Sequence, residues 1–236
     1  MITQSEIFGI IISLVYAGSL ILAAEVLRRL DKLPQKITRK IVHIGAGMWV
    51  FGILALFTRW QVGIVPFALF IVINFIAYRK RIFSALETDK STPGTVYFAA
   101  VITLLFAIFW RPYGPIDRAP VAVAGVMALT WGDALAALIG QYWGKHRYTV
   151  LGEDRSWEGT AAMFLSSFIA IALVLLFLPG SALSPNSQVL SYGLTFTAAL
   201  LAALVSTIVE AVSPRGIDNL AIPFAAALVV WLLTAI

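Results

Sequence analysis

Apolar runs long enough to cross ~30 Å of hydrocarbon as helix recur at residues 7–27, 41–58, 61–78, 94–110, 119–142, 159–178, 189–212 and 217–236. This repetition leaves the chain little choice of fold. The expected fold class is all-α, a polytopic integral membrane helical bundle of about eight transmembrane helices. The runs 41–58 and 94–110 are short, so seven or nine is also compatible. Composition agrees: 60% apolar and 12% charged residues, with a mean hydropathy of +0.91, give more apolar surface than a soluble domain of 236 residues can cover. The first run has no basic lead-in and is too long for a signal-peptide core, so it is expected to stay as an anchor. Cysteine is absent, which excludes disulfides, thiolate catalysis and Cys-ligated metals. Prolines and glycines punctuate the connections, and no internal repeat is evident. One membrane domain over 1–236 is the expected organisation.

The charges orient the bundle. Of the 17 Lys and Arg residues, 14 fall in the connections 28–40, 79–93, 145–155 and at Arg215, all on one side of an eight-span topology. Arg59, Arg111 and Arg118 fall on the other. The positive-inside bias then puts the basic loops in the cytoplasm, or its stromal equivalent, and both termini opposite. Attraction to anionic headgroups accounts for many of these charges, and nothing suggests nucleic-acid binding.

Ionisable residues inside spans cost ~2.5–3.5 kcal/mol on insertion scales and are functional candidates by default. Glu25, His43, Asp133 and Glu210 lie within spans, and Glu158 and Asp218 at their mouths. A local ion pair with Arg28 and Arg29 explains Glu25. Arg39, Lys40 and His43 share one helical face, which Gly47 continues inward. Gly132, Ala136, Gly140 and Gly144 form a small-residue ridge that lets another helix approach, with Asp133 beside it. Asp133 is about ten residues before the next loop, roughly 15 Å along a helix, so a water-filled cavity or a protruding helix must reach it. Lys145, His146 and Arg147 follow as a cationic cluster. Residues 152–160, GEDRSWEGT, read as a helix N-terminus in which Asp154 or Ser156 caps, and equally as a phosphate seat flanked by Arg155 and Ser156. Glu210, Asp218 and Asn219 flank the break at Pro214-Arg215-Gly216. They are hard oxygen ligands suited to Mg²⁺, commonly held by one or two carboxylates with substrate phosphates.

Together, RK-x-x-H at 39–43, D-x-x-A-x-x-x-G at 133–140, the glycine run to Lys145, S-x-E-G at 156–159 and the late Glu210, Asp218-Asn219 pair resemble the polyprenol kinase family. That family comprises phytol kinases, dolichol kinases and CTP-dependent diacylglycerol kinases, and is more distantly similar to the membrane CDP-diacylglycerol synthases. The resemblance runs from about residue 39 to 223, and the short length looks most like the phytol kinases of bacteria and chloroplasts. Arg155 departs from it, standing where Lys is expected in many relatives. The resemblance implies transfer of the γ-phosphoryl of CTP or UTP to a long isoprenoid alcohol such as phytol. No G-x-x-x-x-G-K-[ST] segment is present, which excludes a Walker-type site.

On that reading Arg39, Lys40, His43, Gly140, Gly144, Lys145, Arg147, Arg155, Ser156, Arg215 and Asn219 contact nucleotide and phosphates. Asp133, Glu210 and Asp218 hold Mg²⁺, and Asp133 or Glu158 accepts the hydroxyl proton, with Lys145 also catalytic. The alcohol enters from the bilayer and the nucleotide from the basic side. A diacylglycerol kinase or a cytidylyltransferase would share most of this site. A secondary transporter would also use intramembrane carboxylates, but usually with repeats and midplane sites.

Overall fold

The computed structural model describes residues 2–30, 33–80, 93–214 and 216–234. Among the described residues there are ten α-helices, one π-helical segment and one two-stranded hairpin. Helix α1 (Gln4–Arg29) opens with a capping box: Thr3 Oγ1 accepts from the Glu6 amide, and the Glu6 carboxylate accepts from the Thr3 amide at 2.8 Å. At its far end Glu25 pairs with Arg28 at 2.7 Å and with Arg29 at 2.8 Å, the local arrangement expected from their spacing. Glu6, 2% exposed, is also held by Arg59, a cross-chain pair that the sequence reading did not identify.

Helix α2 (Gln35–Leu56) begins earlier than its apolar run, so Arg39, Lys40 and His43 all lie inside the helix. The third span is a short α3 (Trp60–Gly63) followed by α4 (Val65–Lys80), and the fourth is α5 (Gly94–Phe109). With 16 residues, α5 covers only about 24 Å at ~1.5 Å per residue, less than the full hydrocarbon depth. The run 119–142 is not one regular helix. It comprises α6 (Ala119–Met127), a π-helical stretch at Ala128–Asp133, and α7 (Ala134–Tyr142). Helices α8 (Trp157–Phe177), α9 (Tyr192–Val212) and α10 (Asp218–Thr234) complete the bundle. Among the described residues, six helical stretches are long and apolar enough to cross a membrane, and α5 and α10 are shorter apolar helices. The eight expected spans are therefore all present as helix.

Every residue of α6 is buried, because α5, α8 and α10 pack around it. Close helix contacts are made where side chains are smallest. Gly47 of α2 faces Thr130, and Gly132 faces Ser167 and Met163 of α8. Further along, a Cβ on Gly159 of α8 would stand 2.9 Å from the Ala136 carbonyl. The small-residue ridge of the fifth span is thus the seam against α8. At the end of the bundle near Arg111, Asp117 stitches two loops together. Its carboxylate accepts from the Arg111 amide at 2.8 Å, the Ala119 amide at 3.1 Å and the Ser184 hydroxyl at 2.6 Å.

The segment read as one helical turn, GEDRSWEGT, folds differently. Strands β1 (Arg147–Val150) and β2 (Glu153–Ser156) pair antiparallel in a hairpin. Its two turn residues, Leu151 and Gly152, have φ of 52° and 82°, the positive values a tight two-residue hairpin turn needs. Thr149, Tyr148 and Val150 favour strand, a preference overlooked beside the acidic residues that follow. Ser156 does cap α8, accepting from the Gly159 amide at 3.1 Å.

Gly132→Val, which drives a branched side chain into Met163 and Ser167, is expected to cost about 1–3 kcal/mol, read as a lower melting temperature in detergent. Gly193→Ala, at a glycine with nothing within 4 Å, should leave that temperature unchanged or slightly raised.

Candidate functional site

The basic face of α2 meets the π-helical segment in the interior. Lys40 Nζ donates to Asp133 Oδ2 at 2.6 Å and to the Asp133 carbonyl at 3.3 Å. The two side chains are 22% and 16% exposed, so the pair is largely withdrawn from solvent. One turn deeper, His43 Nε2 is 3.3 Å from the Leu129 carbonyl and 3.8 Å from Asp133 Oδ2. A carbonyl oxygen can only accept, so Nε2 carries the hydrogen. The imidazole also stacks on Phe98, ring centroids 4.7 Å apart. Three helices therefore fix the orientation of His43.

Beside this pair runs a cavity of about 680 Å³, within the ~300–1,000 Å³ range of pockets that take one ligand molecule. Lys36, Arg39, Lys40, His43, Asp133, Gln141, Asp218 and Asn219 line its polar end. Its other end, between α1, α2, α4 and α5, is walled by Tyr16, Leu20, Trp49, Phe67, Phe70, Phe98 and Ile102. The cavity answers the depth problem posed by Asp133, because the carboxylate is reached through it.

A second ionic contact lies behind the first. Arg155, at the end of β2, pairs with Glu210 at 2.7 Å and donates to the carbonyls of Glu210 and Ser213 at 3.1 and 3.2 Å. It thus ties the hairpin to the end of α9, where helix carbonyls lack intrahelical partners. Asp218 begins α10 with its Oδ1 accepting from the Gly216 and Asn219 amides at 3.0 and 2.8 Å. Asp133, Glu210 and Asp218 lie within electrostatic range of one another, and Lys40 and Arg155 pair with the first two. Among the described residues, no three acidic or His side chains converge tightly enough to form a complete metal cage.

The sequence-predicted residues therefore separate into groups. Arg39, Lys40, His43, Asp133, Asp218 and Asn219 line one cavity. Glu210 and Arg155 form the adjoining buried pair. Gly140 lies against Ser156 and Gly159 in the seam between α7 and α8, and Gly144 against Ser156. Lys145 and Arg147 stand exposed at the start of the hairpin. Glu158 accepts from the His146 backbone amide at 3.2 Å and faces the His146 ring at 2.7 Å, outside the residues that line the cavity. Arg215 lies outside the described residues. Sequence reasoning passed over Lys36, Trp49 and Tyr16. The first two continue the face of Arg39, His43 and Ala46 at helical spacing, so extending that face would have found them; Tyr16, on another helix, gave no such signal.

Comparison with known proteins bears on the same stretch. The chain is 38% identical over 222 residues to the phytol kinase of Synechocystis sp., covering 92% of this chain and 87% of that one. It is 27% identical to a probable chloroplastic phytol kinase of Triticum aestivum, over 93% of this chain and 75% of that one. It is 23% identical to the chloroplastic phytol kinase 1 of Arabidopsis thaliana, over 92% and 72%. No protein-family model and no solved structure matches the chain.

Lys40→Met leaves Asp133 without its partner and is expected to destabilise the protein by up to about 3 kcal/mol. Adding Asp133→Asn should restore much of the loss, and a double-mutant cycle of detergent melting temperatures measures the coupling. Arg155→Met is expected to make the 147–156 hairpin cut faster in limited proteolysis, while Arg155→Lys falls between it and the wild type.

Proposed function

The chain belongs to the phytol kinase family, and we propose that it transfers the γ-phosphoryl group of CTP or UTP to the hydroxyl of a long isoprenoid alcohol, phytol above all. The observation that carries this reading is the cavity itself, whose polar end holds cations and carboxylates while its other end is apolar. A lipid alcohol needs both. Its tail lies among Leu20, Phe67, Phe70 and Ile102, and its hydroxyl reaches the level of His43 and Asp133.

Phosphoryl transfer asks the protein mainly for positioning and charge neutralisation. Lys36, Arg39 and Lys40, together with Lys145 and Arg147 from the start of the hairpin, hold the triphosphate. The hydroxyl oxygen attacks the γ-phosphorus, the bond to the β-phosphate oxygen breaks, and a nucleoside diphosphate leaves. Of the two carboxylates expected to take the hydroxyl proton, Asp133 lines the cavity and Glu158 is engaged by His146, so the role goes to Asp133.

The donor set suits Mg²⁺. Three carboxylates, Asp133, Glu210 and Asp218, are opposed by two cations, Lys40 and Arg155, which leaves one negative charge in excess to favour a bound cation. Asp133 and Asp218 would hold the ion together with phosphate oxygens, and Glu210 supports them under the control of Arg155. The ion supplies neutralisation of the charge that develops on the phosphates. With the basic loops taken as cytoplasmic or stromal, nucleotide enters at the mouth and alcohol from the membrane. The same charge pattern argues against a transporter, because the polar groups of the cavity gather at its one end.

The test is an assay of detergent-solubilised protein with γ-labelled CTP, UTP or ATP and with phytol, geranylgeraniol or diacylglycerol. Label is expected in a prenyl phosphate, to vanish with EDTA and return with Mg²⁺, and to fall at least about a hundredfold in Asp133→Asn. Pyrophosphate release with label from α-labelled CTP in lipid would instead identify a cytidylyltransferase.

A further inference from the structure

The apolar end of the cavity closes on a built floor. Trp49 of α2 and Tyr16 of α1 stack with ring centroids 4.1 Å apart and planes within 15°. The Tyr16 hydroxyl donates to the Gly45 carbonyl at 2.9 Å, which holds the tyrosine ring in place. The indole also lies close to Gly52, one turn on, where a Cβ would approach the ring to 2.8 Å. Phe67 and Ile102 complete the ring of residues at this depth. Beneath them the bundle is solid: Val50, Ile53, Leu105 and Phe106 are 0% exposed.

Trp49 is therefore stacked on Tyr16 and lies against Gly52, residues that take no part at the polar mouth. Lys40, which marks that mouth, is nine positions earlier on the same helix, about 14 Å away at ~1.5 Å per residue. A chain whose hydroxyl sits at Lys40 and Asp133 meets the indole at that distance.

We propose that the Trp49–Tyr16 stack is the chain-length determinant of the acceptor site, admitting alcohols of a few isoprene units and refusing long polyprenols. This rests on the isoprenoid-alcohol reading of the cavity given above. Gly52 belongs to the same device, since its missing side chain lets the indole lie back against α2. A side chain there tips the ring into the cavity and shortens it. Truncating the indole and adding a side chain at Gly52 thus have opposite signs, which a general loss of packing does not produce.

The experiment measures binding of radiolabelled farnesol, geranylgeraniol and solanesol to purified full-length protein, and phosphorylation of each in parallel. Trp49→Ala is expected to raise the solanesol-to-geranylgeraniol affinity ratio about tenfold or more, in the range set by apolar pocket changes. Gly52→Ala should shift preference toward farnesol. Trp49→Leu and Tyr16→Leu replace the alanine variant if it does not fold. Folded variants at Trp49 and at Gly52 with the wild-type order of affinities overturn the proposal. Wild-type protein that binds these alcohols but phosphorylates none overturns the kinase reading instead, and the affinity ratios still decide whether the stack sets length.

Discussion

A carboxylate in the interior of a membrane bundle is the constraint on which the other features depend. Asp133 cannot be left alone in a medium of low dielectric, so α2 brings Lys40 to 2.6 Å from it. For α2 to come that close, its backbone must have no side chain at Gly47, where it meets Thr130. The fifth span must in turn lie flush on α8, which Gly132, Gly140 and Gly159 permit. Beside that contact, where α1, α4 and α5 do not fill the space against α2, the cavity remains. One buried charge therefore accounts for the cationic partner and the distribution of glycines.

The sequence made the helices and much of the mouth legible, for reasons that can be named. Apolar runs must become helices in lipid, and all eight did. Arg39, Lys40 and His43 were found because helical spacing puts them on one face, and Asp133 because an acid has no structural reason to be in such a run. What the sequence hid depends on contacts between distant segments. The partnership of Glu6 with Arg59, and of Arg155 with Glu210, joins residues more than fifty positions apart, and no local pattern announces them. The hairpin was obscured because the acidic residues of its second strand resemble a helix N-terminus, and Ser156 is in fact such a cap. The break in the fifth span was invisible because no proline marks it.

Arg155 shows how a residue can be noticed for one property and placed by another. Its charge suggested a phosphate contact, yet its side chain spans from the hairpin to the carbonyl end of α9. The hairpin carrying Lys145 and Arg147 is consequently not a free appendage. Its second strand is fastened to the element that presents Glu210, and Ser156 at its end starts α8. The exposed cations and the buried carboxylates are thereby connected through one guanidinium.

The π-helical stretch at Ala128–Asp133 has a consequence for the phase of everything after it. A π turn holds one more residue than an α turn, and each residue of an α-helix advances the side-chain direction by about 100°. Deleting one residue there, and letting the span become regular, would rotate α7 by that angle relative to α6. The face that now carries Gly140 against α8 would point elsewhere, and Asp133 would leave the side facing Lys40. A single inserted residue is thus enough to convert an ordinary buried helix into one whose first half serves the core and whose second half serves the cavity.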